Sequence, residues 1–329
     1  MPIDLKGRNL LTLKDFTPKE IAFLLDFSIR LKEEKHSGRR RKRLEGKNVA
    51  LIFEKPSTRT RCAFVVACTD EGAHGEYLGK GDIQLGRKES IKDTARVLGR
   101  MFDGIQFRGF EHETVEGLAR YAGVPVWNGL TDKFHPTQVL ADLMTVLENK
   151  GYLKGIRFVY AGDGRSNMAN SLMMGASKMG MDFRILTSEA LFPEKGLTRE
   201  AEAFAREEGG KITLTPDIDR AVDGADVLYT DVWASMGEED KIGERISLLK
   251  PYQVNQEMVN KTGNAEVIFL HCLPAFHNQD TVFSQKYPDI CEVTDEIFES
   301  MHSKVFDEAE NRVHTIKAVM VSTLGETEG

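Results

Sequence analysis

The sequence predicts an α/β protein of two doubly wound domains, each a central parallel sheet flanked by helices, with interdomain helices linking them. Three observations point there. Short apolar runs such as Val49-Ala50-Leu51-Ile52-Phe53 recur along the chain, continuous rather than alternating, as in strands buried on both faces. Helical stretches separate most of these runs. The chain has 329 residues, enough for two domains that each bury a core.

Thr17-Pro18 opens a helix over 17–35, with Ile21, Leu24, Leu25, Phe27 and Ile29 as its apolar positions. The strand at 49–53 leads into a helix carrying Ala63, Phe64, Val66 and Ala67 and ending at Gly72. Further strands are expected at 104–107, 124–127, 156–161, 183–186, 212–214, 227–230 and 267–270. Residues 138–150 form an amphipathic helix, with Leu140, Leu143, Met144 and Leu147 at i, i+3, i+4 and i+7. The alternation restarts at Gly155, so the domains are placed at 1–150 and 151–308. A last helix at about 309–323, with Ile316, Val319 and Met320, dominates a closing segment, 309–329.

Composition removes several function classes. Hydrophobic residues are 41% and charged residues 29%, the balance of a globular chain. No apolar run reaches the roughly 18 residues of a membrane span. Met1-Pro2-Ile3-Asp4-Leu5-Lys6 lacks the basic-then-apolar pattern of a secretory signal. Cys62, Cys68, Cys272 and Cys291 are scattered, with no CxxC pair and no histidines at zinc-ligand spacing, so reduced thiols in the cytoplasm and no metal are expected. A net charge of -7 argues against general nucleic-acid binding. The run Arg39-Arg40-Arg41-Lys42-Arg43 reads as a solvated turn between helix and strand, with a subunit contact or polyanion site as alternatives.

In an open parallel sheet, ligands bind at the carboxyl ends of strands. Polar residues follow the apolar runs at six such ends: Glu54-Lys55-Pro56-Ser57-Thr58-Arg59-Thr60-Arg61; Arg108; Asn128 with Phe134-His135-Pro136-Thr137-Gln138; Gly162-Asp163-Gly164-Arg165-Ser166-Asn167; Asp231 with Trp233-Ala234-Ser235-Met236-Gly237; and His271-Cys272-Leu273-Pro274. Loops gathered so in two domains suit a cleft between them.

The first loop is chemically the most telling. Its serine, two threonines and two arginines lie just before a helix, whose exposed N–H groups and positive dipole end already favour an anion. Hydroxyls add donors, and guanidinium matches phosphate oxygens with a fork. A simple N-cap needs one hydroxyl and leaves the two arginines unexplained. The glycine-rich stretch and Gly-Lys-Ser/Thr ending of a nucleotide-triphosphate loop are missing. His135 reads as structural or catalytic, Met236 as packing or contact, and Cys272 as an inert thiol or a site residue. Gly162-Asp163-Gly164 begins like a dinucleotide fingerprint, but Asn167 stands at its third glycine position.

Taken together, these motifs resemble the aspartate and ornithine carbamoyltransferases. Ser57-Thr58-Arg59-Thr60-Arg61 looks like that family's carbamoyl phosphate signature, and His135-Pro136-Thr137-Gln138 matches its second shared motif. Asp231-Val232-Trp233-Ala234-Ser235-Met236-Gly237 and His271-Cys272-Leu273-Pro274 are similar to the ornithine branch. The resemblance covers essentially the whole chain. It implies that Ser57, Thr58, Arg59 and Thr60 hold phosphate, and that Arg108, His135 and Gln138 contact the carbamoyl end, beside Pro136 and Thr137. Gln84, on the loop 81–88, is similar to a residue lent to a neighbouring subunit's site. Asn167, Asp231, Ser235 and Met236 look like ornithine contacts. Cys272 and Leu273 border the reacting centre, and Arg312, on a closing helix returning to the first domain, completes the carbamoyl phosphate pocket. Arg108, His135 and Cys272 are the implied catalytic residues. The resemblance also implies a homotrimer, or an assembly of trimers.

The chemistry agrees. A neutral amine attacks a carbonyl carbon, negative charge builds on oxygen, and phosphate leaves. Fixed positive donors at those atoms are the expected main source of rate, and holding both substrates in line contributes on the order of 7–11 kcal/mol. Carbamoyl phosphate is already activated, so no metal or organic cofactor is expected. Asp231 and Ser235-Met236-Gly237 favour ornithine over putrescine, aspartate or acetylated ornithine, with Asp231 pairing with the α-ammonium. The rivals from other classes are a non-catalytic binding protein on this fold and a nicotinamide-dependent dehydrogenase.

Overall fold

The computed structural model describes residues 3–39, 41–234 and 241–325. The chain forms two compact units, Met1–Met144 with Glu310–Gly329, and Thr145–Ala309.

The first unit begins with α1 (Pro18–His36). Thr17 and Glu20 cap it reciprocally, each side chain answering the other's backbone N–H, with Pro18 in the first turn. Then follow β1 (Asn48–Phe53), α2 (Arg59–Glu71), β2 (His74–Gly79), α3 (Ile91–Met101), β3 (Gly104–Arg108), α4 (His112–Ala122), β4 (Val126–Leu130) and α5 (Pro136–Lys150). The sheet is parallel throughout, in the order β2-β1-β3-β4. One face, with Ala50, Ile52, Ile105, Phe107 and Val126, packs with Ala95 and Leu98 of α3 and Val115 and Leu118 of α4. On the other face, Phe64 of α2 stacks on Trp127. Phe53 pairs with Arg108 at the carboxyl edge, so the loop after β1 and the Arg108 side chain start side by side.

Two strands differ from expectation. β2 has no continuous apolar run, because it lies at the sheet edge, half-exposed, where His74 and Glu76 are tolerated. β4 is shifted from the expected 124–127 to Val126–Leu130, so Asn128 lies within the strand rather than after it. Its buried amide nitrogen donates to the Leu11 and Phe134 carbonyls, at 3.0 and 3.2 Å.

The second unit contains β5 (Arg157–Ala161), α6 (Asn167–Lys178), β6 (Asp182–Leu186), α7 (Lys195–Glu208), β7 (Lys211–Thr215), α8 (Ile218–Val222), β8 (Val227–Thr230), α9 (Ile242–Leu249), α10 (Gln256–Lys261), β9 (Ile268–His271), α11 (Val282–Lys286) and α12 (Asp295–Phe298). Its parallel sheet runs β7-β6-β5-β8-β9. Ala161 pairs with Thr230, and Thr230 with His271, so the loops after β5, β8 and β9 leave from one edge. Val159, Leu228, Trp233, Phe269 and Val293 belong to one core.

The closing helix α13 (Val305–Leu324) starts four residues before the expected 309. From Glu310 onward it belongs to the first unit. The basic run also needs correction at one position. Arg39, Arg41 and Lys42 are exposed, and Arg40 lies outside the described residues. Arg43, however, turns inward to Glu34 at 2.6 Å and Glu71 at 3.1 Å, with 9% of its side chain exposed. Two carboxylates contributed by neighbouring helices draw it out of water.

Candidate active site

In the first unit the site is built around the start of α2. Thr58 occupies the N-cap position, but its side chain makes no capping hydrogen bond. The helix start therefore keeps its anion-attracting character instead of spending it on a protein hydroxyl. Ser57 and Arg59 are half-buried and Thr58 is exposed. Arg61 takes another direction, its guanidinium lying 3.8 Å from the centre of the Tyr77 ring.

Thr60 is fully buried, and two guanidiniums converge on its hydroxyl. Arg108 Nη1 donates to Oγ1 at 3.1 Å and Arg312 Nη2 at 2.8 Å. Arg312 Nη1 donates in turn to Gln138 Oε1 at 2.6 Å. Gln138 Nε2 donates to Asp142 Oδ1 at 2.9 Å, which fixes the amide with its oxygen toward Arg312. β3 delivers Arg108, α2 Thr60, α5 Gln138 and α13 Arg312.

His135, 4% exposed, precedes Pro136 at the start of α5. Its Nδ1 lies 3.4 Å from the Thr137 hydroxyl. Burial, and then the charges of Arg312, Arg108 and Arg59, hold its pKa well below the ordinary histidine value. The imidazole is therefore neutral at neutral pH and carries a single ring N–H. Burial and the Arg108 charge lower Lys55 as well. Gln84 is exposed on the turn between β2 and α3 and takes no part in this network; its carbonyl accepts the N–H groups of Arg87, Lys88 and Glu89.

In the second unit, Asp231 follows β8 and Cys272 follows β9. Cys272 Sγ donates to Asp231 Oδ1 at 3.1 Å, and the same oxygen accepts from the Val232 N–H at 2.8 Å. Asn167, half-buried, is the first residue of α6, and Ser166 caps that helix. Ser235 and Met236 lie outside the described residues.

The turn carrying Cys272 is held by a buried pair. The Leu273 N–H donates to His271 Nδ1 at 2.8 Å, so the imidazole proton sits on Nε2, which donates to Glu292 Oε1 at 2.9 Å. Glu292 also accepts from the Phe276 N–H at 2.8 Å. Both side chains of the pair are fully buried, and burial pushes the Glu292 carboxyl up. Leu273 is left-handed at φ 56°, and its bond to Pro274 is cis.

The dinucleotide-like stretch has another use. Asp163 forms an ion pair with Arg245 at 2.8 Å and accepts from the Arg165 N–H at 2.9 Å. Two positioning residues escaped sequence reasoning. Asp142 lies four residues after Gln138 on one helix, a spacing that could have exposed it. Glu292 lies 21 residues from His271, and no local pattern marks it.

The sequence matches two family models. Residues 8–148 match the carbamoyl-P binding domain of aspartate/ornithine carbamoyltransferase, and residues 154–323 its Asp/Orn binding domain. A protein named catabolic ornithine carbamoyltransferase from Bacillus licheniformis is 65% identical over 329 residues, covering 98% of either chain. One of that name from Streptococcus ratti is 58% identical over 325 residues, covering 97% of this chain and 96% of the other. Among solved structures, ornithine carbamoyltransferase from Pyrococcus furiosus superposes with a TM-score of 0.92 at 45% identity, covering 99% of this chain and 100% of that one. The Thermus thermophilus enzyme gives 0.82 at 39% identity, covering 96% and 98%. With both halves of the sequence matched in order, the chain belongs to the aspartate/ornithine carbamoyltransferase family.

Proposed function

We propose that the protein transfers the carbamoyl group of carbamoyl phosphate to the side-chain amine of L-ornithine, giving L-citrulline and phosphate. The observation that carries this reading is the buried convergence of Arg108 and Arg312 on Thr60, at a helix start whose N-cap side chain makes no capping bond. Such a place binds a doubly charged phosphate with a carbonyl beside it.

Ser57, Thr58, Arg59 and Thr60 hold the phosphoryl oxygens. Arg108 and neutral His135 donate to the carbonyl oxygen as the amine attacks, and each such donor supplies about 10²–10³-fold in rate. Gln138 and Arg312 complete this half, with Pro136 and Thr137 shaping the start of α5. In the second unit, Asp231 receives the α-ammonium of ornithine, with Asn167, Ser235 and Met236 as further contacts. Cys272 and Leu273 border the amine that reacts. The names of the Bacillus licheniformis and Streptococcus ratti relatives support work in the catabolic direction, from citrulline and phosphate. A homotrimer or an assembly of trimers in the cytoplasm, with Gln84 lent to a neighbouring subunit, completes the proposal.

The test is citrulline formation by purified protein, with ornithine, putrescine, aspartate and acetylated ornithine compared at equal concentration. Ornithine is expected to win. A clear preference for putrescine would overturn the assignment, and no turnover of any amine would favour a binding protein on this fold. Arg59→Ala is expected to abolish turnover with little loss of folding.

A further inference from the structure

A histidine–carboxylate cluster in the first unit plays no part in the proposed reaction. Glu310 and His314 lie four residues apart on α13, so their side chains share a face. His36 ends α1. Glu310 Oε1 lies 2.8 Å from His36 Nε2 and 3.4 Å from His314 Nε2, and the three donor atoms all lie within 4.8 Å of one another. We propose that His36, Glu310 and His314 bind a zinc-like divalent transition-metal ion that clamps the end of α1 to α13.

The donor set and the spacing fit each other. Two imidazoles and a carboxylate suit zinc, with a fourth position left for water. Ligand bonds of about 2.0–2.1 Å in a tetrahedron put donor atoms roughly 3.4 Å apart. The Glu310–His314 separation is already 3.4 Å, and the Glu310–His36 separation of 2.8 Å need only open slightly. His36 can make that adjustment, because 58% of its side chain is exposed. His314 is the rigid member, with 1% exposed. Burial brings its pKa down to about 4, so it meets the ion as a neutral imidazole, whose single proton sits on Nδ1 once Nε2 takes the metal. Exposure of Glu310 and His36 leaves an entry path. The charges of Lys32 and Lys317 are felt by His314 and oppose a dication, so a site of modest affinity is expected.

Among the described residues two other histidine clusters converge, and neither competes well. His271, near Asp231 and Cys272, already uses both ring nitrogens, for Leu273 and Glu292. His277, near Asp295 and Glu299, is the single imidazole of its cluster and lies flat on Phe298 with 3.8 Å between ring centres.

The test uses the full chain, freed of metal and carrying Cys272→Ser, so that no thiolate near Asp231 can bind the probe. Titration with Co²⁺ is expected to give visible ligand-field bands saturating at one ion per chain, and Zn²⁺ is expected to raise Tm. His36→Ala on that background should weaken Co²⁺ binding by about tenfold or more, since loss of an outer-shell partner alone costs about that much. It should also remove the Zn²⁺-dependent rise in Tm. Glu310→Gln should behave the same way, which keeps the proposal open to refutation if His314→Ala fails to fold. Co²⁺ binding unchanged by His36→Ala and Glu310→Gln would overturn the site, as would an absence of bands and of any Tm response. Turnover is not the readout, so this result stands apart from the proposed reaction.

Discussion

The Arg312 guanidinium and the Thr60 hydroxyl meet at 2.8 Å, although 252 positions separate them in the sequence. Thr60 is the acceptor that lets two cationic side chains approach one point. It receives Arg108 as well, so the pair of guanidiniums is aimed before any substrate arrives. Positive charge organised in advance has no reorganisation left to do as negative charge develops.

Thr60→Val removes that acceptor and leaves both donors to find another. A lost buried partner costs about 1–3 kcal/mol, so kcat/KM for carbamoyl phosphate should fall by between about fivefold and about 160-fold. Thr60→Ser keeps the oxygen and should stay close to the parent. Steady-state kinetics on the two variants decide this, and a Val variant at parental efficiency would contradict the aiming role.

His135 is held neutral by burial and by three arginines, with a folded pKa below its unfolded value of about 6.5. Above that value both states are neutral and the group is silent. As pH falls below it, the unfolded chain takes up the proton while the folded chain resists, so stability declines until the lower folded pKa is passed. His135→Gln should therefore lose less stability than the parent between pH 7.5 and pH 5. Urea unfolding at the two pH values measures it; equal losses would mean that His135 does not sit neutral.

Glu292 accepts two buried donors on a single oxygen, from His271 and Phe276. Glu292→Gln can keep an oxygen there and should fold with little change. Glu292→Ala strands both donors and should cost about 1–3 kcal/mol of stability, with a lower kcat because the Cys272–Leu273 turn loses its brace. Thermal unfolding and turnover of the two variants distinguish these outcomes, and an Ala variant as active and stable as the Gln variant would remove the brace from the mechanism.

Arg43 holds Glu34 and Glu71 largely out of water. Breaking a buried pair of this kind costs about 3–5 kcal/mol, so Arg43→Ala should unfold at clearly lower urea. Arg41→Ala, from the same run but exposed, should change stability by less than about 0.5 kcal/mol. Comparable midpoints for the two would show that Arg43 behaves as a surface charge.

Legibility from sequence followed the range of the forces involved. The start of α1 was readable because Thr17, Pro18 and Glu20 act within four residues of one another. β1 was readable because a strand buried on both faces must be apolar at every position. β2 was hidden for the converse reason, as an edge strand half in solvent can carry His74 and Glu76. β4 is hard to place from sequence because Asn128 has the character of a loop residue, and only the distant Leu11 carbonyl and that of Phe134 give its amide nitrogen a place inside a strand.

Within the site the division is sharper. The residues from Ser57 to Arg61 by themselves read as an anion site at a helix start, since hydroxyls, guanidinium and helix N–H groups all lie inside one turn. They do not say which guanidiniums face the ligand. Only the tertiary structure turns Arg61 onto Tyr77, brings Arg108 and Arg312 to Thr60, and places neutral His135 among their charges. The same holds for Glu292 beneath His271. Two α/β units and the anion-favouring chemistry of the loop before α2 are legible in the sequence, because periodicity and capping are local. Which distant charges meet, and which proton each imidazole keeps, was decided by the crossing of strands and the return of α13, since burial and pairing exist only once the chain has folded.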